Sequence, residues 1–299
     1  MTALLLGAFG LTLSLVVPGV LAGARWADRA PVAAVVLWQA VTLAAVLSAL
    51  GVVLAAPEEL VRAAGSGRPV ATAALVGALV IAAVIVIRLL VSLADVSRRS
   101  RARRSRHRTL VDLLDRAEQH PELDVEGLRV LDGAVPFAYC LPGRSPRVVL
   151  SGGALRVLGP DEVAAVLAHE QAHLRHRHDL VMESFTAFYR AVPRPLRRRT
   201  PLDCVHLLLE MVADDAARRR CGAAPLHAAL QRLTHAVAGG AAGGGDDDRD
   251  RRLDRLGPVD VRSAGITVAV LMAAAAILVL PTVILVVPWL DRAFEAWPL

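Results

Sequence analysis

Lysine is missing from all 299 residues, so the 34 basic residues are arginines and the formal net charge of +6 rests on guanidinium groups alone. Topology must therefore be read from arginine placement. Cysteine is scarce: Cys140, Cys204 and Cys221 are odd in number and lack metal-binding spacing. This excludes a disulfide framework and a cysteine-built zinc site, and it fits free thiols in a reducing compartment. No internal repeat or nucleotide-binding motif is present. No positively charged segment precedes the first apolar block, so Ala22-Gly23-Ala24, although similar to a signal-peptidase site, is expected to follow an uncleaved helix.

What the chain has in excess is apolar residues, 55% of the total. That exceeds the usual share in a soluble domain, and the excess lies in four blocks: Ala3 to Ala22, Val32 to Ala56, Val70 to Ala94 and Ile266 to Trp289. Each reaches the roughly 20 residues that a bilayer-spanning helix needs. Behind the third block, Arg98, Arg99, Arg101, Arg103, Arg104, Arg106 and Arg108 follow one another with no acid between them. By the bias of arginine toward the inner side, that end belongs in the cytoplasm and both termini lie outside. A nucleic-acid role for the arginine run is set aside because an apolar span adjoins it directly. The expected organisation is a three-helix membrane part over 1–95, a cytoplasmic domain over 96–264, and a fourth helix with a short tail over 265–299.

The chemistry concentrates in Leu167-Ala168-His169-Glu170-Gln171-Ala172-His173-Leu174. Residues four apart share one face of an α-helix, so His169 and His173 can bind one metal ion with Glu170 beside it. Pro160, Asp161 and Glu162 give a helix start, and Val163, Val166 and Leu167 give that helix an apolar face. A chance match on a solvated helix face would lack this setting. Zinc with three protein ligands keeps a position for water, and Glu170 is the candidate base that takes the water's proton.

The third ligand is sought in Leu207-Leu208-Leu209-Glu210-Met211-Val212-Ala213-Asp214-Asp215. A glutamate among aliphatic residues is costly unless it meets a cation, which makes Glu210 the candidate. Asp214 follows at i+4 and could accept the free N–H of a zinc-bound histidine. The competing reading pairs these acids with Arg218, Arg219 and Arg220 on an exposed face, and it is the preferred one for Asp215.

Together, LAHEQAHLRHRHDL and LLLEMVADDAARR resemble the membrane zinc endopeptidases of peptidase families M48 and M56, most strongly over 169–220. The resemblance implies one Zn2+ per chain held by His169, His173 and Glu210, with Glu170 as general base and Asp214 supporting the ligands. His178 has a counterpart in many M48 members, though a histidine favoured at a helix C-terminus is an alternative; His176 is expected to face solvent. The implied fold is mainly α: four transmembrane helices, with a cytoplasmic α+β zincin-like metallopeptidase domain inserted between the third and fourth.

Pro136 to Leu141 and Arg147 to Ser151 read as short strands around a Pro-Gly-Arg-Ser-Pro turn. In the family a strand here is an edge that offers backbone groups to an extended peptide. Arg252-Leu253-Asp254-Arg255-Leu256 is similar to a late arginine-leucine helix of the family. Gly239 to Asp250 is glycine-rich, then acidic, and reads as a flexible linker. Val181 to Leu196 with Arg197 to Arg199 reads either as a segment against the anionic inner leaflet or as a core helix with a basic end, and Arg88 as a side chain reaching toward the interface.

The expected activity is hydrolysis of peptide bonds in cytoplasmic or membrane-proximal protein segments, for signalling proteolysis of a repressor-like partner. HtpX-like membrane-protein quality control is the enzymatic alternative, and a non-catalytic membrane scaffold with a structural zinc site is the alternative of another class. Expected partners are a protein or peptide substrate and the lipid bilayer, with no nucleic acid. Only Asp291 to Leu299 follow the fourth block, so the antibiotic-sensing role of the M56 sensor proteases is not carried over. His206, Tyr189 and His227 are the candidates for stabilising the oxyanion.

Overall fold

The computed structural model describes residues 1–115, 127–237, 246–257 and 264–296, which separate into two compact units. The first comprises Met1–Ala94, Thr186–Val205 and Ser263–Leu299. Its main elements are α1 (Thr2–Leu15), α2 (Val17–Ala22), α3 (Pro31–Gly65), the first part of α4 (Pro69–Leu113), and α11 (Ala264–Ala296). Prolines at Pro31 and Pro69 open α3 and α4, where the missing N–H costs nothing.

Four helical stretches, Thr2–Ala22, Pro31–Gly65, Pro69–Leu113 and Ala264–Pro288, are long and apolar enough to cross a membrane. The first three expected spans fall inside them, and the fourth, Ile266 to Trp289, passes the end of its stretch by one residue. The first is interrupted at Val16, one residue before the Val17-Pro18 start of α2. Within the unit α3 is central and packs against both α1 and α11. Helix α1 can lie close because small residues face it: a Cβ added at Gly51 would sit 2.7 Å from Leu6 Cδ1, and one at Gly10 would sit 3.0 Å from Ser48 Cβ. Association through small residues is what helices without a hydrophobic driving force between them use.

Helix α7 (His178–Ala191) ends in this unit, and side-chain donors meet several carbonyls at its end. Arg88 Nε donates to Ala191 O at 2.7 Å and Ser92 Oγ to Ala187 O at 2.8 Å, while Arg197 reaches Val192 O and Arg190 O at 2.9 and 2.6 Å. Arg88 thus terminates a helix, where its charge also complements the dipole.

The second unit comprises Asp95–Phe185 and His206–Arg262. A three-stranded sheet of order β1-β3-β2 is built from β1 (Leu128–Leu131), β2 (Ala138–Leu141) and β3 (Arg147–Ser151). Strand β1 runs parallel to β3 and β2 antiparallel to it, with Tyr139 opposite Val149 and Cys140 opposite Val148. The two anticipated strands are present around the expected turn. β1 was not anticipated; its four residues follow directly on 116–126, which lie outside the described residues.

After the sheet come α5 (Gly152–Val157), α6 (Pro160–Arg175), α7, α8 (Thr200–Cys221), α9 (Ala223–Val237) and α10 (Asp246–Arg255). The Ser151 hydroxyl caps α5 by accepting from Ala154 N at 3.0 Å. Glu162 reaches back to accept from Gly159 N at 2.9 Å, fixing the start of α6 with Pro160 at its first position. Helix α6 packs on β2, β3 and α9, and its apolar face, Val163, Val166 and Leu167, joins Val130, Val148 and Leu150 of the sheet in one core.

The acidic half of the expected linker, Asp246 to Asp250, is helical rather than slack, because α10 buries Leu256 just past its end against Ala165, Ala168 and Ala217. Its glycine half falls within 238–245, outside the described residues. Nor is the arginine run all solvated: Arg104 lies 3.1 Å from Asp179 and 2.5 Å from Glu183, and Arg108 donates to Pro142 O in the β2–β3 turn.

Candidate metal centre

His169 and His173 stand one turn apart on α6, as their spacing requires, and Glu210 comes to them from the middle of α8. The Nε2 atoms of the two histidines are 3.1 Å apart. Glu210 Oε2 is 3.4 Å from His169 Nε2, and Oε1 is 3.3 Å from His173 Nε2. Tetrahedral zinc with bonds of about 2.0–2.1 Å places its ligand atoms roughly 3.3 Å from one another. The three donors therefore already have the spacing of one tetrahedral face. Among the described residues this is the group of three or more metal-ligating side chains close enough to hold a cation.

Asp214, one turn beyond Glu210 on α8, puts Oδ1 3.0 Å from His169 Nδ1, although the angle falls short of a hydrogen bond. The opposite side of the carboxylate is fixed by Arg252 of α10, whose Nε and Nη2 donate to Oδ2 and Oδ1 at 2.7 and 2.8 Å. Arg252 Nη1 also lies 2.9 Å from Glu210 Oε2. One guanidinium thus holds both acids. The neighbouring pair is separate: Asp215 binds Arg255 through two bonds of 2.7 and 2.8 Å, and both side chains are buried. The exposed pairing of Asp215 with Arg218, Arg219 or Arg220 is therefore replaced by a buried one with Arg255. Arg252 and Arg255 belong to the segment similar to a late arginine-leucine helix, but no pattern in the sequence tells that they pair with these acids.

His178 opens α7 directly after Arg177, whose φ of 53° lies in the left-handed region and turns the chain back over the end of α6. That turn brings His178 Nδ1 to 2.8 Å from His173 Nδ1, with the rings perpendicular. The second imidazole of the pair is thus oriented from behind, as His169 is by Asp214. His178 is not a surface histidine at a helix C-terminus; it is buried at the start of a helix, while His176 is exposed as expected.

The electrostatics divide the cluster. Burial disfavours charge on His169, but the facing carboxylates of Asp214 and Glu210 outweigh it and hold the imidazolium up to about 10. Burial pulls His173 down to about 4 and His178 to about 3. Glu210 is buried too, yet His169 and Arg252 keep it ionised well below the usual carboxylate range. His173 is thus neutral and Glu210 ionised, while the two carboxylates hold the extra proton on His169. Glu170 behaves differently: burial and the charge of Glu210 raise its pKa against the pull of His169. A carboxyl with a raised pKa is suited to accept a proton and return it.

A cleft of about 190 Å3 opens on this cluster, lined by Cys140 of β2, His173, His178, Asp179, His206 and Glu210, among others. Cys140 faces Glu170, and burial followed by the Glu170 charge pushes its thiol pKa up. It is an inert thiol, neutral beside the carboxylate. Of the three oxyanion candidates, His206 lines the cleft. His227 lies on α9 away from that lining, and Tyr189 belongs to the membrane-helix unit.

Comparison with known proteins agrees with this geometry. Residues 100–193 match the family model for peptidase family M48. A protease HtpX homolog of Thermoplasma acidophilum is 51% identical over 41 residues, covering 14% of this chain and 13% of that protein. A protease HtpX homolog of Thermodesulfovibrio yellowstonii is 33% identical over 75 residues, covering 24% of this chain and 26% of that protein. The chain therefore spans about a quarter or less of these relatives in the matched segments. No solved structure matches it significantly. The M48 side of the resemblance is supported by these matches; M56 is not.

Proposed function

Taking the relationship of this chain to peptidase family M48 as premise, we propose that it is an integral membrane zinc endopeptidase with His169, His173 and Glu210 as metal ligands and Glu170 as general base. The observation that carries the proposal is the set of separations of 3.1, 3.3 and 3.4 Å among the three donor atoms. Zinc at that position would supply Lewis-acid polarisation of the scissile carbonyl and a water of lowered pKa.

The protein's own side chains then do the rest. Glu170 takes the proton of the attacking water as the water oxygen bonds to the carbonyl carbon and the C=O pair moves onto oxygen. Collapse re-forms the C=O bond and breaks C–N, while Glu170 returns the proton to the leaving nitrogen, so the net change is addition of one water. Asp214 orients His169 and His178 orients His173, and Arg252 holds Glu210 and Asp214 against each other's charge. Strand β2 is an edge of the sheet and packs on α6, so an extended substrate segment has a backbone template beside the metal.

On this reading the catalytic unit lies on the cytoplasmic side with both termini outside, an orientation supported by the arginine run that follows the third apolar block. The substrates on this reading are extended cytoplasmic segments near the membrane. Comparison of the proteomes of cells carrying the intact chain or Glu170→Gln tests it. New peptide termini confined to the intact chain support it. A single cut in one soluble partner identifies signalling proteolysis, and many cuts in membrane proteins identify quality control. Identical termini in the two strains, with both proteins expressed, contradict the peptidase reading.

A further inference from the structure

We infer that His206 is the side chain that donates a hydrogen bond to the scissile carbonyl oxygen as it becomes an oxyanion, an inference that rests on the peptidase reading above. His206, Glu210 and Asp214 recur at intervals of four along α8, so they share one face of a rigid 22-residue helix. His206 lines the same cleft as the metal-facing side chains His173 and Glu210 and the edge-strand residue Cys140. Unlike them it is exposed.

The remaining polar side chains on the lining are already engaged or have the wrong charge. His178 is committed to His173 at 2.8 Å, and His173 to the metal cluster. The Cys140 thiol faces Glu170. Asp179 is an anion tied to Arg104 at 3.1 Å and would repel a developing negative charge. Arg252, the nearest strong donor, spends its guanidinium on Asp214 and Glu210 and does not reach the cleft lining. For His206, by contrast, no hydrogen bond or ion pair occurs among the described residues. An imidazole N–H held on a helix beside the metal position, open to the cleft and unspent within the protein, is the donor left for substrate. Preorganised donors of this kind act on the transition state rather than on substrate binding.

The test uses the full chain, purified in detergent and loaded with zinc, in wild-type, His206→Ala and His206→Gln forms. Three quantities are read: zinc per chain, kcat and KM on self-quenched fluorescent casein as an unfolded protein, and affinity for N-phosphoryl-Leu-Trp compared with plain Leu-Trp. The phosphoryl group presents tetrahedral oxygens in place of a planar carbonyl. His206→Ala should keep its zinc, lose about 10²–10³-fold in kcat with KM changed little, and bind the phosphoryl dipeptide about 100-fold more weakly. Its affinity for plain Leu-Trp should not move. His206→Gln retains an N–H donor and should recover most of the loss. Loss of zinc in His206→Ala, a fall in KM-linked binding alone, or phosphoryl-dipeptide affinity within threefold of wild type would each overturn the inference. If zinc-loaded wild type fails to cleave casein, the peptidase reading fails on that arm, and the dipeptide comparison still decides whether His206 recognises a tetrahedral oxyanion.

Discussion

Replacing Arg252 by alanine removes the guanidinium that holds both Glu210 and Asp214, and the cost follows from how little water reaches them. The side-chain exposures are 16% for Arg252, 2% for Asp214 and 20% for Glu210. Deleting one partner of a buried ion pair leaves an uncompensated charge and typically costs about 3–5 kcal/mol. For a domain of roughly this size each kcal/mol moves the melting temperature by about 2–4 °C, so the metal-free Arg252→Ala protein should melt about 6–20 °C below wild type. Zinc held by His169, His173 and Glu210 would restore positive charge beside Glu210. The zinc-dependent rise in melting temperature should therefore be larger in Arg252→Ala than in wild type. The assay is differential scanning fluorimetry of the full chain in detergent, with chelator and with zinc. Arg252→Lys serves as the control; its single ammonium cannot reproduce the fork onto Asp214 together with the contact to Glu210, so it should fall between the two. A metal-free Arg252→Ala protein that melts within about 2 °C of wild type would mean that the acids find solvation without the guanidinium, and would overturn this role of Arg252.

Arg255→Ala should destabilise the catalytic unit by a similar 3–5 kcal/mol, since Asp215 and Arg255 are 8% and 5% exposed, yet leave zinc per chain unchanged; metal analysis beside the melting curve separates it from Arg252→Ala. Asp214 has its pKa lowered because Arg252 and His169 overcome the burial that would raise it, so its contribution is present above the ordinary aspartate range and is lost as pH falls through the depressed value. Asp214→Asn should therefore lower stability at neutral pH and flatten its decline in acid, and parallel loss at every pH would contradict this. Reporter fusions after Arg108 should show cytoplasmic activity and fusions near Arg62 outside activity; an outside signal after Arg108 overturns the proposed orientation.

The parts of the molecule that were legible in the sequence are those governed by local periodicity. His169 and His173 are one turn apart on a helix whose start is written in Pro160-Asp161-Glu162, and the four apolar blocks are helices long enough for a bilayer. Glu210 was legible because a carboxylate among Leu207, Leu208, Leu209 and Met211 needs a partner that the local sequence does not offer. What stayed hidden depends on chain reversal. His178 reaches His173 through a single left-handed residue, Arg177, which no side-chain pattern announces. Arg252 and Arg255 meet Asp214 and Asp215 across 38 and 40 residues, and although their segment is similar to a late helix of the family, nothing in a chain with 34 arginines tells that these two pair with those acids. The helix over Asp246–Arg255 is legible at its arginine-leucine end but not over Asp246 to Asp250, whose composition is that of a solvated segment; it is held by two buried ion contacts and Leu256 rather than by an apolar face.

The most direct test of a zinc site with a separate base is metal content and peptidase activity measured together on purified wild type, Glu170→Gln, His173→Ala and Glu210→Ala. Wild type should carry one zinc per chain with activity, Glu170→Gln one zinc without activity, and the other two neither. Zinc lost from Glu170→Gln, or retained at wild-type affinity by Glu210→Ala, would contradict these roles.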